Sequence, residues 1–216
     1  MSSEPSTFIT RHTRLLAVPF VPDVVMHTAA EAIPLWERTE EVTGAANLAP
    51  PFWAFPWAGG QGLARYVLDQ PEVVRGRRVL DLASGGGLVA IAAARAGAAH
   101  VTANEIDPYA DAAIALNALA NGVSIERVLR DLLDDEVDVD VVLAGDVFYS
   151  GAMADRMLVF LRRAAAAGAD VIVGDPGRAY APTGVETLAT YEVPVIRDLE
   201  DADTKRVRVV RITYRL

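Results

Sequence analysis

The strongest constraint in the sequence is an apolar run that contains a carboxylate and then passes through three consecutive glycines. It extends from Val79 to Leu88, with Asp81 inside the apolar run and the glycines at Gly85–Gly87. Glycine adopts positive φ at low cost and lets a ligand approach the backbone where a Cβ would otherwise stand. The segment therefore predicts a strand, a turn and a helix. The turn can hold a ligand or serve only as a tight connection.

Short β-branched runs alternate with alanine-rich segments from residue 77 onward, which is typical of a parallel sheet with helices on its faces. The predicted strands are Arg78–Leu82, His100–Asn104, Ile125–Leu129, Val139–Gly145 and Asp170–Gly174. The predicted helices are Leu88–Ala96, Pro108–Asn121 and Ala152–Ala167. The pattern predicts an α/β fold.

The pattern changes after Gly174. We expect a short helix at Val185–Ala189 and then strands at Glu192–Arg197 and Lys205–Tyr214. The residues predicted to form a polar turn between these strands are Asp198, Glu200, Asp201, Ala202 and Asp203. Strands joined by a short turn pair antiparallel, so the sheet is predicted to be mixed.

The 216 residues match one large domain, and we expect residues 1–216 to form it. Residues 1–76 hold all three tryptophans, Trp36, Trp53 and Trp57, and show no linker or repeat. We predict that they form an extension that covers the mouth of the sheet. A helix at Gly60–Leu68 would lead from this extension into the first strand.

Composition excludes several classes of function. The net charge of −9 disfavours a nucleic-acid partner, and no apolar run is long enough for a membrane span. There is no cysteine, and the N-terminal residues lack a signal-peptide pattern, so a cytoplasmic protein is expected. His12, His27 and His100 lack metal-ligand spacing, and Ser84 lacks the sequence context of a hydrolase nucleophile.

A second carboxylate supports a ligand at the glycine turn. Glu105 closes the next predicted strand, where an acidic side chain can accept hydrogen bonds from ribose hydroxyls. The pattern Gly85-x-Gly87-x-x-Ala90 also fits a dinucleotide fingerprint, so NAD is an alternative ligand. Asp81 would repel a pyrophosphate and attract the sulfonium and ammonium of S-adenosylmethionine, and this charge argument favours the methyl donor.

Two further carboxylates follow predicted strands. Asp131 could accept a hydrogen bond from an adenine amino group, or it could belong to a solvated acidic loop. Asp107 precedes Pro108 and is expected to cap the helix that starts there.

The fourth predicted strand ends in Gly145, Asp146, Val147, Phe148 and Tyr149. Ligands of open α/β sheets bind outside the carboxyl ends of the strands, so this end faces the same crevice as the glycine turn. Asp146 could orient an acceptor amine, and the Tyr149 ring could stabilise a methylammonium by cation–π attraction. The alternative is that Asp146 caps the following helix while Tyr149 packs.

These segments resemble the class I, seven-strand methyltransferases that use S-adenosylmethionine. Within that class the chain is similar to the electron transfer flavoprotein β-subunit lysine methyltransferases. The segments that carry the resemblance are Pro51–Gln61, the run through Tyr66 and Leu68 to Val79–Leu82, Ala103–Pro108, Gly145–Tyr149 and Gly174–Arg178.

The resemblance implies a Rossmann-like, doubly wound sheet of strand order 3-2-1-4-5-7-6 whose last strand is antiparallel. It implies cofactor contacts at Trp57, at the turn from Ala83 to Gly85, at Glu105 and at Gly145. It places Asp146 and Tyr149 at the acceptor end. Two residues depart from the usual pattern, because Ala83 replaces the first glycine of the turn and Glu105 replaces an aspartate.

The predicted activity is methyl transfer from S-adenosylmethionine to a protein lysine, with the β-subunit of electron transfer flavoprotein as the expected acceptor. Nucleic acid and membrane are not expected as partners, and the sequence leaves the oligomeric state open. The alternatives are a small-molecule amine methyltransferase, an NAD-binding oxidoreductase and a non-catalytic adaptor that keeps only the fold.

Overall fold

A computed structural model describes residues 4–43, 50–195 and 202–214. The strands are β1 (Arg14–Val18), β2 (Val21–Thr28), β3 (Arg78–Leu82), β4 (His100–Glu105), β5 (Glu126–Leu129), β6 (Val141–Gly145), β7 (Asp170–Asp175), β8 (Glu186–Pro194) and β9 (Thr204–Ile212). The α-helices are α1 (Glu4–His12), α2 (Ala32–Thr43), α3 (Ala58–Asp69), α4 (Leu88–Arg95), α5 (Pro108–Ala120) and α6 (Gly151–Ala166). Short 3₁₀ helices occupy Phe52–Ala54 and Pro71–Val73.

Seven strands form one mixed sheet in the order β5-β4-β3-β6-β7-β9-β8. The first five are parallel, and β9 pairs antiparallel with both β7 and β8. When strands are counted from β3, this order is 3-2-1-4-5-7-6. The predicted fold class, strand order and antiparallel last strand are therefore confirmed.

The central strands are apolar at successive positions because both faces of the sheet are buried. Val79 of β3 packs in a cluster with residues of α3 and α4, while the next residue, Leu80, packs in a second cluster with residues of α6. Neighbouring strand residues point to opposite faces, so each central strand contributes to both clusters. In the described part of the chain, no helix has the length and apolar character needed to cross a bilayer.

The helix predicted at Val185–Ala189 is wrong. Glu186–Ala189 begin the edge strand β8, which pairs with β9, and Val185 precedes this strand. The pairing supplies backbone hydrogen bonds that override a local helix preference, and the segment is rich in threonine, valine and tyrosine, which favour strands. The strand predicted at Glu192–Arg197 ends at Pro194. The predicted turn residues Asp198, Glu200 and Asp201 lie outside the described residues.

Residues before the sheet contain an antiparallel hairpin, β1–β2, that the sequence analysis missed. Asn117 of α5 and Asn121, which follows α5, attach β2 to the sheet domain. The side-chain oxygen of Asn117 accepts a hydrogen bond from the His27 amide, and Asn121 accepts from the Val25 amide and donates to the Val25 carbonyl. Side-chain amides therefore supply the hydrogen bonds to the β2 backbone that a third strand of the hairpin would otherwise supply. The helix expected at Gly60–Leu68 is present as the longer α3.

Helix α3 approaches the ends of β6 and β7 through glycine backbone. A Cβ on Gly145 would lie 2.8 Å from the Cα of Gly60, and a Cβ on Gly174 would overlap the carbonyl oxygen of Gly59. Only residues without a side chain allow this separation. As a result, the N-terminus of α3 lies directly at the carboxyl ends of two central strands.

The turn after β3 uses three left-handed residues, of which one is not glycine. Gly85 has φ +56°, Gly87 has φ +88°, and Ala83 has φ +53°. A residue with a Cβ is strained in this conformation by about 1 kcal/mol. Ala83, which departs from the usual glycine of the turn, is therefore a local source of strain.

We predict that Ala83→Gly stabilises the protein by about 1 kcal/mol and raises the melting temperature by about 3 °C. The control is Ala115→Gly in α5, because there the same substitution removes a good helix former and should destabilise the protein by about 1 kcal/mol. Thermal unfolding followed by circular dichroism measures both. An equal loss of stability in the two variants would contradict strain at Ala83.

Candidate active site

A cavity of about 690 Å³ opens at the carboxyl ends of the parallel strands, and a smaller one of about 60 Å³ adjoins it and shares six of its lining residues. The larger cavity takes residues from the ends of β3, β4 and β6, from α6 and from the segment before α3. Residues of the glycine turn and of the α3 N-terminus line the smaller cavity. This is the position where open α/β sheets bind ligands.

All ten residues predicted for the site line these two cavities. The larger cavity is lined by Trp57, Ala83, Gly85, Glu105, Asp131, Gly145, Asp146 and Tyr149, and the smaller one also by Asp81 and Ser84. The structure thus brings the predicted residues together, while their individual roles stay predictions.

Glu105 is held against the glycine turn. Its Oε1 accepts a hydrogen bond from the Gly85 amide at 2.6 Å, and its Oε2 accepts from the Ile106 amide at 3.0 Å. Burial raises the pKa of Glu105, and these two amides oppose the shift. A carboxylate has about four acceptor positions, so Glu105 can also accept ribose hydroxyls. A Cβ on Gly85 would meet no atom within 4 Å, which shows that this glycine faces open space.

Asp81 lies behind the turn. Its Oδ2 accepts hydrogen bonds from the Ser84 hydroxyl and, at 3.0 Å, from the Ala90 amide. Burial raises the pKa of Asp81 to about 7, against the lowering effect of both hydrogen bonds. The carboxylate is only partly ionised near neutral pH. Asp81 therefore attracts a cationic ligand more weakly than a fully ionised carboxylate, on which the sequence-based prediction rested, would do.

Asp131 and Asp107 follow neighbouring strands. Asp107 accepts a hydrogen bond from the Tyr109 amide at 2.8 Å, and so it caps α5 as expected. Asp131 accepts from the Leu133 amide at 2.8 Å and forms an ion pair with Arg156 at 3.0 Å. Arg156 lines the cavity from α6, but no motif in the sequence marked it. Only the packing of α6 beside the loop after β5 shows its position.

Asp146 does not cap α6. Its backbone is left-handed, with φ +57°, and its side chain turns toward α3 and the loop after β7. Oδ2 accepts a hydrogen bond from the Gly60 amide at 2.8 Å, and Oδ1 pairs with Nη2 of Arg178 at 3.3 Å. The helix-cap alternative is therefore wrong, because the carboxylate joins two other elements at the cavity wall.

Three aromatic rings stand beside Asp146. The rings of Phe52 and Tyr149 have centroids 5.3 Å apart, and those of Phe52 and Trp57 are 5.9 Å apart. The Trp57 indole donates a hydrogen bond to the Phe52 carbonyl at 2.9 Å, which fixes the two residues together. Tyr149 is 45% exposed, so part of its ring is open to a ligand. From the sequence, Phe52 was marked only as part of the family-like segment Pro51–Gln61.

The other tryptophans differ from Trp57. Trp53 is buried and stacks on Tyr109, although it also reaches the cavity wall. Trp36 lies on α2 and does not line the cavity. Among the described residues, no group of three or more histidine and acidic side chains is arranged to hold a metal ion.

The chain is similar to characterised methyltransferases over most of its length. It is 38% identical over 178 residues to the electron transfer flavoprotein beta subunit lysine methyltransferase of Xenopus laevis, which covers 81% of this chain and 71% of the frog protein. The chain belongs to the electron transfer flavoprotein beta subunit lysine methyltransferase family. The rat protein of the same name is 44% identical over 149 residues, which cover 66% of this chain and 56% of the rat protein.

A family model and a solved structure give two further similarities, the first over part of the chain and the second in fold. Residues 63–148 match the family model of ribosomal protein L11 methyltransferase (PrmA). The fold is similar to that of a tRNA methyltransferase from Pyrococcus abyssi in complex with S-adenosyl-L-homocysteine. That match has a TM-score of 0.53 at 17% identity and covers 71% of this chain and 38% of the archaeal one.

This member of the family is an S-adenosylmethionine-dependent methyltransferase, and the NAD alternative is set aside. The residues of the site fit the cofactor. Gly85 offers backbone without a side chain, Glu105 offers acceptors for ribose hydroxyls, and the cavity has room for a nucleoside.

We predict that Asp81 makes stability depend on pH. Its native pKa is raised from 3.8 to about 7, so within this window the folded chain holds a proton that the unfolded chain has released. The stabilisation that protonated Asp81 contributes to the folded state is fully present below pH 3.8 and is lost as the pH rises to about 7. Asp81→Asn cannot ionise, so its free energy of unfolding relative to wild type should rise by about 2 kcal/mol from pH 5 to pH 8. Urea denaturation measures this difference, and a constant difference would contradict the prediction.

We predict that Trp57 lies against the cofactor. S-adenosylhomocysteine should then quench tryptophan fluorescence in the wild type, and most of this effect should be lost in Trp57→Phe. Trp36→Phe is the matched control, because Trp36 lies outside the cavity and its loss should leave the quench intact. If Trp57→Phe keeps the full quench while binding the ligand normally, Trp57 does not contact the cofactor.

Proposed function

We propose that the chain transfers a methyl group to the ε-amine of a protein lysine and that its acceptor is the β-subunit of electron transfer flavoprotein. The observation that carries this proposal is the 38% identity over 81% of the chain to a frog enzyme named for that reaction. The net charge of −9 also favours a basic protein surface over a nucleic acid. We place the reaction in the cytoplasm, which the absence of cysteine supports.

The reaction requires a neutral amine placed in line with the methyl group. When bound, S-adenosylmethionine supplies a methyl carbon on a sulfonium, and the nitrogen lone pair forms the new N–C bond while the electrons of the C–S bond remain on sulfur. The product is a methylammonium, which loses a proton to water. The protein must therefore orient the amine and stabilise positive charge on nitrogen.

The chain's own residues can perform these tasks. The Gly85 backbone and the Glu105 carboxylate bind the nucleoside of the cofactor in one half of the cavity. Asp146 offers a carboxylate oxygen to an N–H of the amine, which directs the nitrogen lone pair toward the methyl group. The faces of Tyr149 and Phe52 attract the developing cation. Residues 1–76 supply Phe52, Trp53 and Trp57 to the wall, which supports their proposed role as a cover of the crevice.

Methyl transfer to the purified β-subunit of electron transfer flavoprotein tests the acceptor. The assay uses labelled S-adenosylmethionine and is followed by mass spectrometry of the digested subunit. We expect label on lysine. Label only in a small-molecule amine fraction of a lysate would contradict the protein acceptor and support an amine methyltransferase.

We predict that Asp146→Asn lowers methyl transfer by about 10²-fold while the affinity for S-adenosylhomocysteine changes little. Asparagine tolerates the left-handed backbone and keeps an acceptor for the Gly60 amide, so the substitution removes mainly the charge. The control is Asp155→Asn at an exposed position of α6 outside the cavity, which should retain wild-type activity. Full activity in Asp146→Asn would remove the carboxylate from the mechanism.

A further inference from the structure

The acceptor end of the cavity contains a cation, although the proposed acceptor is itself a lysine. Among the described residues that line the cavity, the arginines are Arg156 and Arg178. Arg156 lies at the far end, beside Asp131. Arg178 lies at the acceptor end and pairs with Asp146 at 3.3 Å. The carboxylate that faces the acceptor is therefore already partnered by a fixed positive charge.

Arg178 is held in place by a buried carboxylate. Asp175 is 2% exposed, and its Oδ1 accepts hydrogen bonds from the Gly177 amide at 2.7 Å and the Arg178 amide at 2.9 Å. Gly177 closes this turn with φ +84°. The Oδ2 of Asp175 is buried and has no hydrogen-bond partner within the described ranges. Burial raises the pKa of Asp175, while its own amide bonds and the charges of Arg178 and Arg208 lower it.

Burying a carboxylate oxygen without a hydrogen-bond partner is costly, and a nearby cation reduces that cost. Asp175 fixes the backbone of Arg178 through the turn, and its charge favours a guanidinium close by. The two carboxylates, Asp146 and Asp175, thus define where the Arg178 side chain lies. The loop after β7 therefore determines where Arg178 lies in the cavity wall.

An amine methyltransferase faces a conflict at this point. A lysine side chain is an ammonium at neutral pH and has no lone pair to accept a methyl group. An isolated carboxylate at the acceptor end would bind this ammonium and stabilise its unreactive form. A second fixed cation beside that carboxylate has the opposite effect, because it favours the neutral amine.

We propose that Arg178 is a positioning residue for the methyl acceptor: as the counter-ion of Asp146, it prevents the carboxylate from holding the lysine as an ammonium, so the lysine enters as a neutral amine. Asp175 supports this role by fixing Arg178. The inference rests on the proposed amine acceptor and goes beyond it, since it concerns how the acceptor becomes reactive.

The charged and titratable groups around the acceptor end come from several elements. Asp146 and Tyr149 follow β6, Arg178 follows β7, and Glu105 ends β4 and acts electrostatically on Tyr149. Arg208 of β9 acts on Asp175 from behind the loop. Within this set, Arg178 is the cation that forms an ion pair with Asp146. The test therefore changes the charge of Arg178.

The test is the pH dependence of kcat for methyl transfer to the β-subunit of electron transfer flavoprotein, measured in the full chain. Loss of the cation in Arg178→Gln should shift the acid limb upward by about one pH unit, so that activity falls about tenfold at neutral pH and recovers at higher pH. Arg178→Lys keeps a charge and should restore most of the wild-type profile. Arg162→Gln on α6, outside the cavity, is the control and should not shift the limb.

Asp175→Asn is a second variant with nearly unchanged shape, and it should shift the acid limb in the same direction by a smaller amount. Binding of S-adenosylhomocysteine, measured by calorimetry, verifies that each variant is folded. A uniform loss of kcat at every pH, with no shift in Arg178→Gln, would overturn the proposal and leave Arg178 a structural residue.

A binding measurement separates this inference from the choice of acceptor. In the complex with S-adenosylhomocysteine, wild type should bind n-butylamine more tightly at high pH, where the amine is neutral, whereas Arg178→Gln should prefer the ammonium at neutral pH. If wild type methylates no protein lysine, the proposed function fails, and this titration still decides the role of Arg178. If n-butylamine binding depends on pH in the same way in wild type and in Arg178→Gln, the proposed role of Arg178 is overturned.

Discussion

The site depends on the close contact between the N-terminus of α3 and the ends of β6 and β7. A Cβ on Gly59, Gly145 or Gly174 would lie within 3.0 Å of backbone atoms of the facing element. This contact lets the Asp146 carboxylate reach the Gly60 amide, and it brings the aromatic segment before α3 to the cavity. A larger residue at Gly59, Gly145 or Gly174 would move the helix away and open this wall of the cavity.

The two ends of the cavity use charge differently. Near the glycine turn, Asp81 and Glu105 accept hydrogen bonds from Ser84, Gly85, Ala90 and Ile106, and burial raises the pKa of both. At the acceptor end, the Asp146 carboxylate is paired with Arg178. A neutral amine, as in the proposed acceptor, suits a carboxylate that already has a cationic partner.

Much of the fold was predictable because its signals are local. The apolar strands, the turn at Gly85–Gly87 and the Asp107 cap all depend on neighbours in sequence. The failures have a different origin. The start of β8, Glu186–Ala189, was predicted as a helix because its conformation depends on pairing with β9, and the hairpin β1–β2 was missed because Asn117 and Asn121, about 90 residues away, attach it.

By itself, the sequence determined the strands, the glycine turn and the types of residue at the ends of the strands, because these follow from residue periodicity, backbone freedom and local motifs. The order of the strands came from the resemblance to a known family. All ten residues that the sequence predicted for the site line the two cavities. Only the tertiary structure decided how these residues pair. Asp146 joins α3 and Arg178 instead of capping α6, Asp81 lies behind the turn, and Arg156 reaches Asp131. Burial and side-chain direction depend on elements far apart in the chain, and a linear pattern does not record them.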